Sequence, residues 1–295
     1  MSVKLLRIHV LADDYAGYEV RGLYAQHGLS LLLELYIDGV KRLILFDTGQ
    51  DGYAVLHNAK LMKLDIGSVD AIVLSHSHYD HTGGVLDIVK QVEKKPIPII
   101  AHPDIAKPAI HIAKNWIRDV GLPHSLDVLE KHGAKPLLLS QPLEIASGVV
   151  FLGEIPRYRP ELTASITNLY TIENGKLVPH DIKDDTGLAI DVEGYGVVLI
   201  SGCGHSGVVN MVIHTKRILG KDVRAVVGGI HLASANRDTI ERVLEALRSE
   251  GVEELYLGHC TGLRAEYLAM ERYGDRFTKI YTGFVKTFSS RELES

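Results

Sequence analysis

Four times along this chain a short apolar run stops at a small-residue turn that carries histidine. Ala71-Ile72-Val73-Leu74 leads into Ser75-His76-Ser77-His78-Tyr79-Asp80-His81. Val197 to Ser201 leads into Gly202-Cys203-Gly204-His205-Ser206-Gly207, Arg224 to Val227 into Gly228-Gly229-Ile230-His231, and Glu254 to Leu257 into Gly258-His259-Cys260-Thr261-Gly262. Apolar runs this short, bounded by glycine, read as strands. Neighbouring strands of a sheet lie about 5 Å apart, so strand ends distant in sequence can converge in space. The pattern therefore asks for a sheet whose carboxyl edge gathers polar loops.

The densest of these loops, His76 to His81, places three imidazoles and one carboxylate in six positions. Such groups are ligands of zinc, iron and manganese, and a strand end delivers them rigidly into one pocket. A histidine-rich run can also be a solvated loop. Here Thr82-Gly83-Gly84 supplies a turn and a helix start, which puts the cluster on a strand-to-helix loop, where active sites of α/β folds collect. Glycine beside each histidine lets backbone turn with positive φ and approach an ion or substrate closely. His76 and His78 can grip one ion from adjacent sides of a tight loop, and Asp80 and His81 then point to a second position. Two divalent ions roughly 3.5–4 Å apart would hold a bridging hydroxide at neutral pH, chemistry that needs no serine or cysteine nucleophile.

The remaining chain supports an α/β protein. Lys4–Leu11, Leu31–Ile37, Arg42–Phe46 and Ile97–Ala101 read as strands, with Asp38-Gly39 as a hairpin turn and Glu193-Gly194-Tyr195 joining Thr186–Val192 to Gly196–Ile200. Helical spacing predicts helices over Val55–Lys63, Val85–Lys95 with Pro96 as its stop, Ala109–Val120, a segment ending near Leu219, and Asp238–Glu250, where Ile240, Val243, Leu244 and Leu247 fall three to four apart. The stretch 103–165 is marked by prolines and reads as a pocket-shaping insertion in a single domain spanning 1–295.

Of the 295 residues 46% are apolar, enough for a substantial core. The net charge of −5 is not gathered into blocks, so neither nucleic acid nor an anionic membrane is expected as a partner. No apolar stretch reaches the roughly 18 residues that span a bilayer. The start, Met1 to Val10, alternates like a strand and lacks a secretion signal's apolar block, so a cytoplasmic location is expected. Cys203 and Cys260 are the only cysteines, too few for a disulfide framework. They read either as buried small hydrophobes or, given their histidine-bearing loops, as part of the site.

The His-x-His-x-Asp-His run, Phe46-Asp47-Thr48-Gly49 upstream and Gly258-His259 late in the chain resemble the metallo-β-lactamase superfamily over nearly the whole length. The resemblance implies a four-layer αββα sandwich with a metal centre at the sheet edges and Asp47 organising the metal loop. Gln26-His27-Gly28-Leu29-Ser30, Gly153-Glu154-Ile155-Pro156-Arg157, the Gly202–Gly207 loop, Gly229-Ile230-His231-Leu232 and Gly258–Gly262 narrow it. They look like the branch of β-lactamase superfamily II metal-dependent hydrolases that includes the dihydropterin and ribofuranosylaminobenzene phosphate joining enzyme of methanopterin synthesis.

Two positions depart from the better-known members. The usual third histidine of the first metal site would fall near Asp184 and Asp185, and the usual bridging aspartate falls at Cys203. His205 is the natural replacement ligand, and Asp185 or the Cys203 thiolate could fill a gap, although Asp184-Asp185 could equally be a polar turn. The expected ligands are thus His76, His78, Asp80, His81, His205 and His259, with Asp185 and Cys203 as further candidates, holding one well-built ion and a second, weaker one. A thiolate favours zinc, whereas carboxylates tolerate iron, manganese or magnesium. Asp80 and His231 are the candidates for catalytic proton handling. Arg157, if not simply a surface residue, could clamp a phosphate or carboxylate, and the resemblance favours it. His27 is a weaker substrate-binding candidate, and hydrogen bonding is the default for it and for His102.

Two functions lead. One is a transferase joining a dihydropterin diphosphate to a ribofuranosylaminobenzene phosphate. The other is a hydrolase of a phosphoester, ester or lactone using a metal-bound hydroxide. A di-iron redox protein and a non-catalytic metal-stabilised binding protein stand behind them. The expected partner is a small phosphorylated or pterin-like molecule; a homo-oligomer is left open.

Overall fold

Strand β1 (Val3–Ala12) is antiparallel to β2 (Ser30–Ile37), which turns back into β3 (Val40–Phe46) through Asp38 and Gly39, both at positive φ (51° and 79°). That two-residue turn matches the right-handed twist of the strands it joins. Helix α1 (Gly52–Leu61), β4 (Ala71–Val73), the single turn α2 (Tyr79–Thr82), α3 (Val85–Gln91) and β5 (Ile97–Ala101) follow, with β3, β4 and β5 parallel. The structure, a computed structural model, describes residues 3–163 and 167–290. Helix α3 stops earlier than its apolar spacing suggests, because Val92 already takes extended backbone ahead of Pro96.

The segment 109–120 is not the helix expected from its spacing. It forms the antiparallel hairpin β6 (Ile110–Ala113) and β7 (Trp116–Asp119). Three isoleucines and a tryptophan give it the β-branched and aromatic character that suits a pleated surface, and β6 has a partner strand waiting in β11. Helix α4 (Leu126–Lys131) then leads to β8 (Ala134–Leu138), β9 (Leu143–Ala146) and β10 (Val149–Phe151). Strands β11 (Leu169–Glu173) and β12 (Lys176–Pro179) complete a small sheet ordered β12-β11-β6-β7.

The second half comprises β13 (Gly187–Val192), β14 (Gly196–Ser201), α5 (Val208–Leu219), β15 (Val223–Gly228), α6 (Arg237–Ser249), β16 (Glu254–Leu257), α7 (Leu263–Tyr273), β17 (Phe277–Lys279) and β18 (Val285–Ser289). The main ladder runs β17-β16-β15-β14-β13-β1-β2-β3-β4-β5-β8, with β8 on one edge and β10 paired to β13.

Three apolar clusters show that this ladder is folded into a four-layer αββα sandwich. Leu31, Leu33 and Leu35 of β2 meet Val198 and Ile200 of β14 and Ala225 and Val227 of β15 in a sheet-on-sheet core. The alternate residues Val197, Leu199 and Val226 face α5, α6 and α7, including Val209, Val212, Ile240 and Leu268. On the other outer face, Leu32, Leu45 and Ile72 pack on α1 and α3 through Val55, Ala59, Val85 and Ile88. Successive strand residues point to opposite faces, and both faces here are buried, so β14 and most of β15 are runs of apolar residues. No helix among the described residues is long and apolar enough to cross a membrane.

Candidate metal centre

The carboxyl ends of β4, β14, β15 and β16 open on the same edge of the sandwich, and their loops bring the predicted histidines together. Two groups of ligand-capable atoms form. In the first, His76 Nε2 lies 3.0 Å from His78 Nδ1 and 3.2 Å from His205 Nε2. In the second, His81 Nε2 lies 3.1 Å from His259 Nε2 and 3.2 Å from Cys203 Sγ, and the Asp80 carboxylate is 3.3 Å from His259 Nε2 and 3.5 Å from His81 Nε2. The rings of His76 and His81, 4.3 Å apart between centroids, make the groups neighbours. His76, His81 and Cys203 themselves form a set that could hold an ion, as do His76, His78 and His205.

These spacings fit a cation. Nitrogen ligands about 2.0–2.1 Å from a tetrahedral zinc lie about 3.3 Å from one another. The outer nitrogens of several rings are already committed. His81 Nδ1 is 2.7 Å from Asp47, His259 Nδ1 is 2.7 Å from Asp14, and His76 Nδ1 is 2.9 Å from the Ser75 hydroxyl. A ring that donates from Nδ1 to a carboxylate keeps a lone pair on Nε2. Those of His81 and His259 then face each other and the Asp80 carboxylate, an arrangement that a cation between them satisfies.

Electrostatics prepares the same donors. Burial pushes His76 and His205 well below the ordinary imidazole range and His78 down to about 3, so these rings are neutral, as ligands must be. Burial pushes the Asp80 carboxyl up, but the charge of the His81 and His259 rings, which a bound cation would supply in their place, outweighs it and holds it well below the usual carboxylate range. Burial also raises the Cys203 thiol, so its thiolate form needs a neighbouring positive charge.

Strained backbone accompanies the site. Asp47, His231 and His259 sit at φ of 58°, 48° and 49°, a left-handed conformation uncommon for residues with a Cβ and concentrated at functional sites. At Gly202 any Cβ would lie 2.1 Å from the Ser75 hydroxyl and 2.8 Å from Asp47 Oδ2, so glycine is required for the β14 loop to reach the β4 loop.

Asp184 and Asp185 are fully buried and tie loops together. Asp184 accepts the Ser77 amide at 2.7 Å, and Asp185 accepts the Ser206 amide at 2.8 Å and its hydroxyl at 2.5 Å. One oxygen of each carboxylate has no hydrogen-bond partner. Arg157 donates to the carbonyls of Ile155, Asp181 and Ile182 at 3.0, 3.1 and 3.4 Å and is not among the residues lining the cavity over the cluster. His102 accepts the Asp104 amide at 3.1 Å and also lies outside that lining.

The cavity, about 220 Å³, is lined by His27, His78, Asp80, His205, His231 and His259 with both cysteines, and by Tyr79, His111, Val120 and Leu169. His27 is 2.8 Å from Asp14 and 3.5 Å from Asp80. The His231 ring packs on His205 with centroids 4.1 Å apart, and its Nδ1 is buried without a partner.

Sequence reasoning missed Asp13 and Asp14, which follow β1. Asp13 accepts the His259 amide at 2.8 Å, and Asp14 bridges His27 and His259. Their position at another strand's carboxyl end was the available signal. His111 was missed because its segment reads as a helix.

Comparison with known proteins agrees with this architecture. Residues 42–131, which include the ligand-rich loop, match the beta-lactamase superfamily domain. The chain is 38% identical over 97% of its length to the 7,8-dihydropterin-6-methyl-4-(beta-D-ribofuranosyl)-aminobenzene-5'-phosphate synthase of Methanocaldococcus jannaschii, covering 98% of that protein. It is 30% identical over 88% of its length to the uncharacterized protein MJ0448 of the same organism, covering 91% of it. Among solved structures, Tm1679, described as a metal-dependent hydrolase of the beta-lactamase superfamily, superposes with a TM-score of 0.79 at 25% identity, covering 96% of this chain and 99% of that one. With its four-layer sandwich, its clustered histidines and a synthase relative matched end to end, the chain belongs to the metallo-β-lactamase superfamily and is an enzyme of it, in the family of that synthase.

Proposed function

We propose that this enzyme is a metal-dependent transferase that joins a dihydropterin diphosphate to a ribofuranosylaminobenzene phosphate, with release of diphosphate. The observation that carries this reading is the 38% identity to the synthase running from end to end of both chains. His76, His78 and His205 would hold one divalent ion, and Asp80, His81, His259 and Cys203 would hold the other, with zinc favoured by the nitrogen and sulfur donors. Such ions supply Lewis acidity and neutralise charge on phosphate oxygens. The chain's own residues do the rest. Asp47 and Asp14 fix the tautomers of His81 and His259 through the 2.7 Å hydrogen bonds. His231, whose ring lines the cavity, would take the proton released as the new bond forms. His27, held by Asp14, faces the substrate from the open side.

The 25% identity to a protein described as a metal-dependent hydrolase favours a second reading, hydrolysis of a phosphoester, ester or lactone. One incubation separates them. Metal-loaded protein with both phosphorylated substrates should give a joined pterin and free diphosphate, identified by mass spectrometry. Turnover of only a model phosphodiester or lactone overturns the transferase.

Exchanging Asp14 for asparagine tests the assignment of the second group. Asparagine leaves His27 and His259 without their shared carboxylate, so metal content should fall from about two ions per chain towards one, read by elemental analysis. Full retention of both ions would remove Asp14 from the site's support.

A further inference from the structure

The cavity above the cluster is smaller than the roughly 300–1,000 Å³ of typical ligand pockets, at about 220 Å³. It has room for the reacting part of a substrate, and the rest must lie against its rim. One wall of that rim is the β6–β7 hairpin, whose His111 lines the cavity with Val120 and Leu169. The His111 ring is stacked on Trp116, centroids 4.9 Å apart and planes 24° from parallel. The Arg118 guanidinium lies 5.2 Å from the centre of the same indole. The Tyr79 amide donates to the Val120 carbonyl at 2.9 Å, which fastens the hairpin to the turn carrying Asp80.

We propose that this hairpin is the specificity element of the enzyme. It seats the planar ring of a substrate against the His111 imidazole, which Trp116 backs and Arg118 holds in the stack. The assignment concerns which residues select the ring; it rests on the proposed pterin substrate only for the choice of first probe.

The test measures binding of 6-hydroxymethylpterin to metal-loaded protein by calorimetry, with p-nitrophenyl phosphate as a second planar probe. His111→Ala should weaken pterin binding about tenfold, since it loses the ring contact. His111→Phe, which restores a ring, should recover most of it. Trp116→Ala should weaken binding and Trp116→Phe should recover most of it. Metal content should stay unchanged in all four. Unchanged pterin affinity in His111→Ala, equal loss in the alanine and phenylalanine variants, or loss of metal in step with affinity would overturn the proposal, as would failure of both probes to bind the wild type. If p-nitrophenyl phosphate binds through His111 and pterin does not bind, the hairpin assignment stands and the pterin substrate falls. If substrates are joined normally by His111→Ala, the reverse holds.

Discussion

Replacing His76 with alanine is expected to strip most of the bound metal from the purified protein and to abolish turnover. His76 is fully buried, and its Nε2 is the atom shared by the two shortest contacts of the first group, 3.0 Å to His78 and 3.2 Å to His205. Its ring also sits 4.3 Å from that of His81, so the loss reaches the second group. Removing an outer partner of a ligand typically costs about 10–100-fold in metal affinity, and removing the ligand itself costs more. Elemental analysis after dialysis provides the measurement. His102→Ala is the control, because His102 is also buried but accepts from the Asp104 amide away from the cavity. Equal metal in the two variants would refute the assignment of the first group.

The sheet and its histidine-bearing edge were legible in the sequence because both depend on local pattern, whereas the four-layer sandwich came from the family resemblance. Short apolar runs with glycine and histidine at their ends specify strands and what hangs from them, and the loops at 76–81, 203–205, 231 and 259 do meet. The supporting carboxylates were less legible. Asp13 and Asp14 reach His259 across 246 and 245 positions of chain, through strand pairing that no local rule encodes. The hairpin at 110–119 failed for a related reason. Its isoleucines suit helix spacing and strand alternation alike, and pairing of Leu169 and Tyr170 with His111 and Ile110 decides for the strand. Arg157 showed the same limit, since a sequence indicates a guanidinium but not that three backbone carbonyls surround it.

Asp47→Asn should weaken metal binding about 10–100-fold while leaving the fold intact. Asp47 accepts from the Ser75 amide with Oδ1 and from the Ser75 hydroxyl and His81 Nδ1 with Oδ2, each at 2.7 Å. An amide can keep the first of these bonds. Its nitrogen, standing where Oδ2 was, donates and cannot accept a proton from His81. His81 must then accept at Nδ1 and carry its proton on Nε2, which removes the lone pair facing His259 and Cys203. The backbone adds little cost, because asparagine tolerates the left-handed conformation that Asp47 adopts at φ 58°. Alanine there would be a poorer test, since it combines strain with three orphaned buried donors, each costing about 1–3 kcal/mol. Competition with a coloured chelator gives the metal affinity, and a thermal melt checks the fold. An unchanged affinity would show that His81 needs no carboxylate behind it and would sink the assignment of Asp47 as the support that keeps its Nε2 turned to the metal.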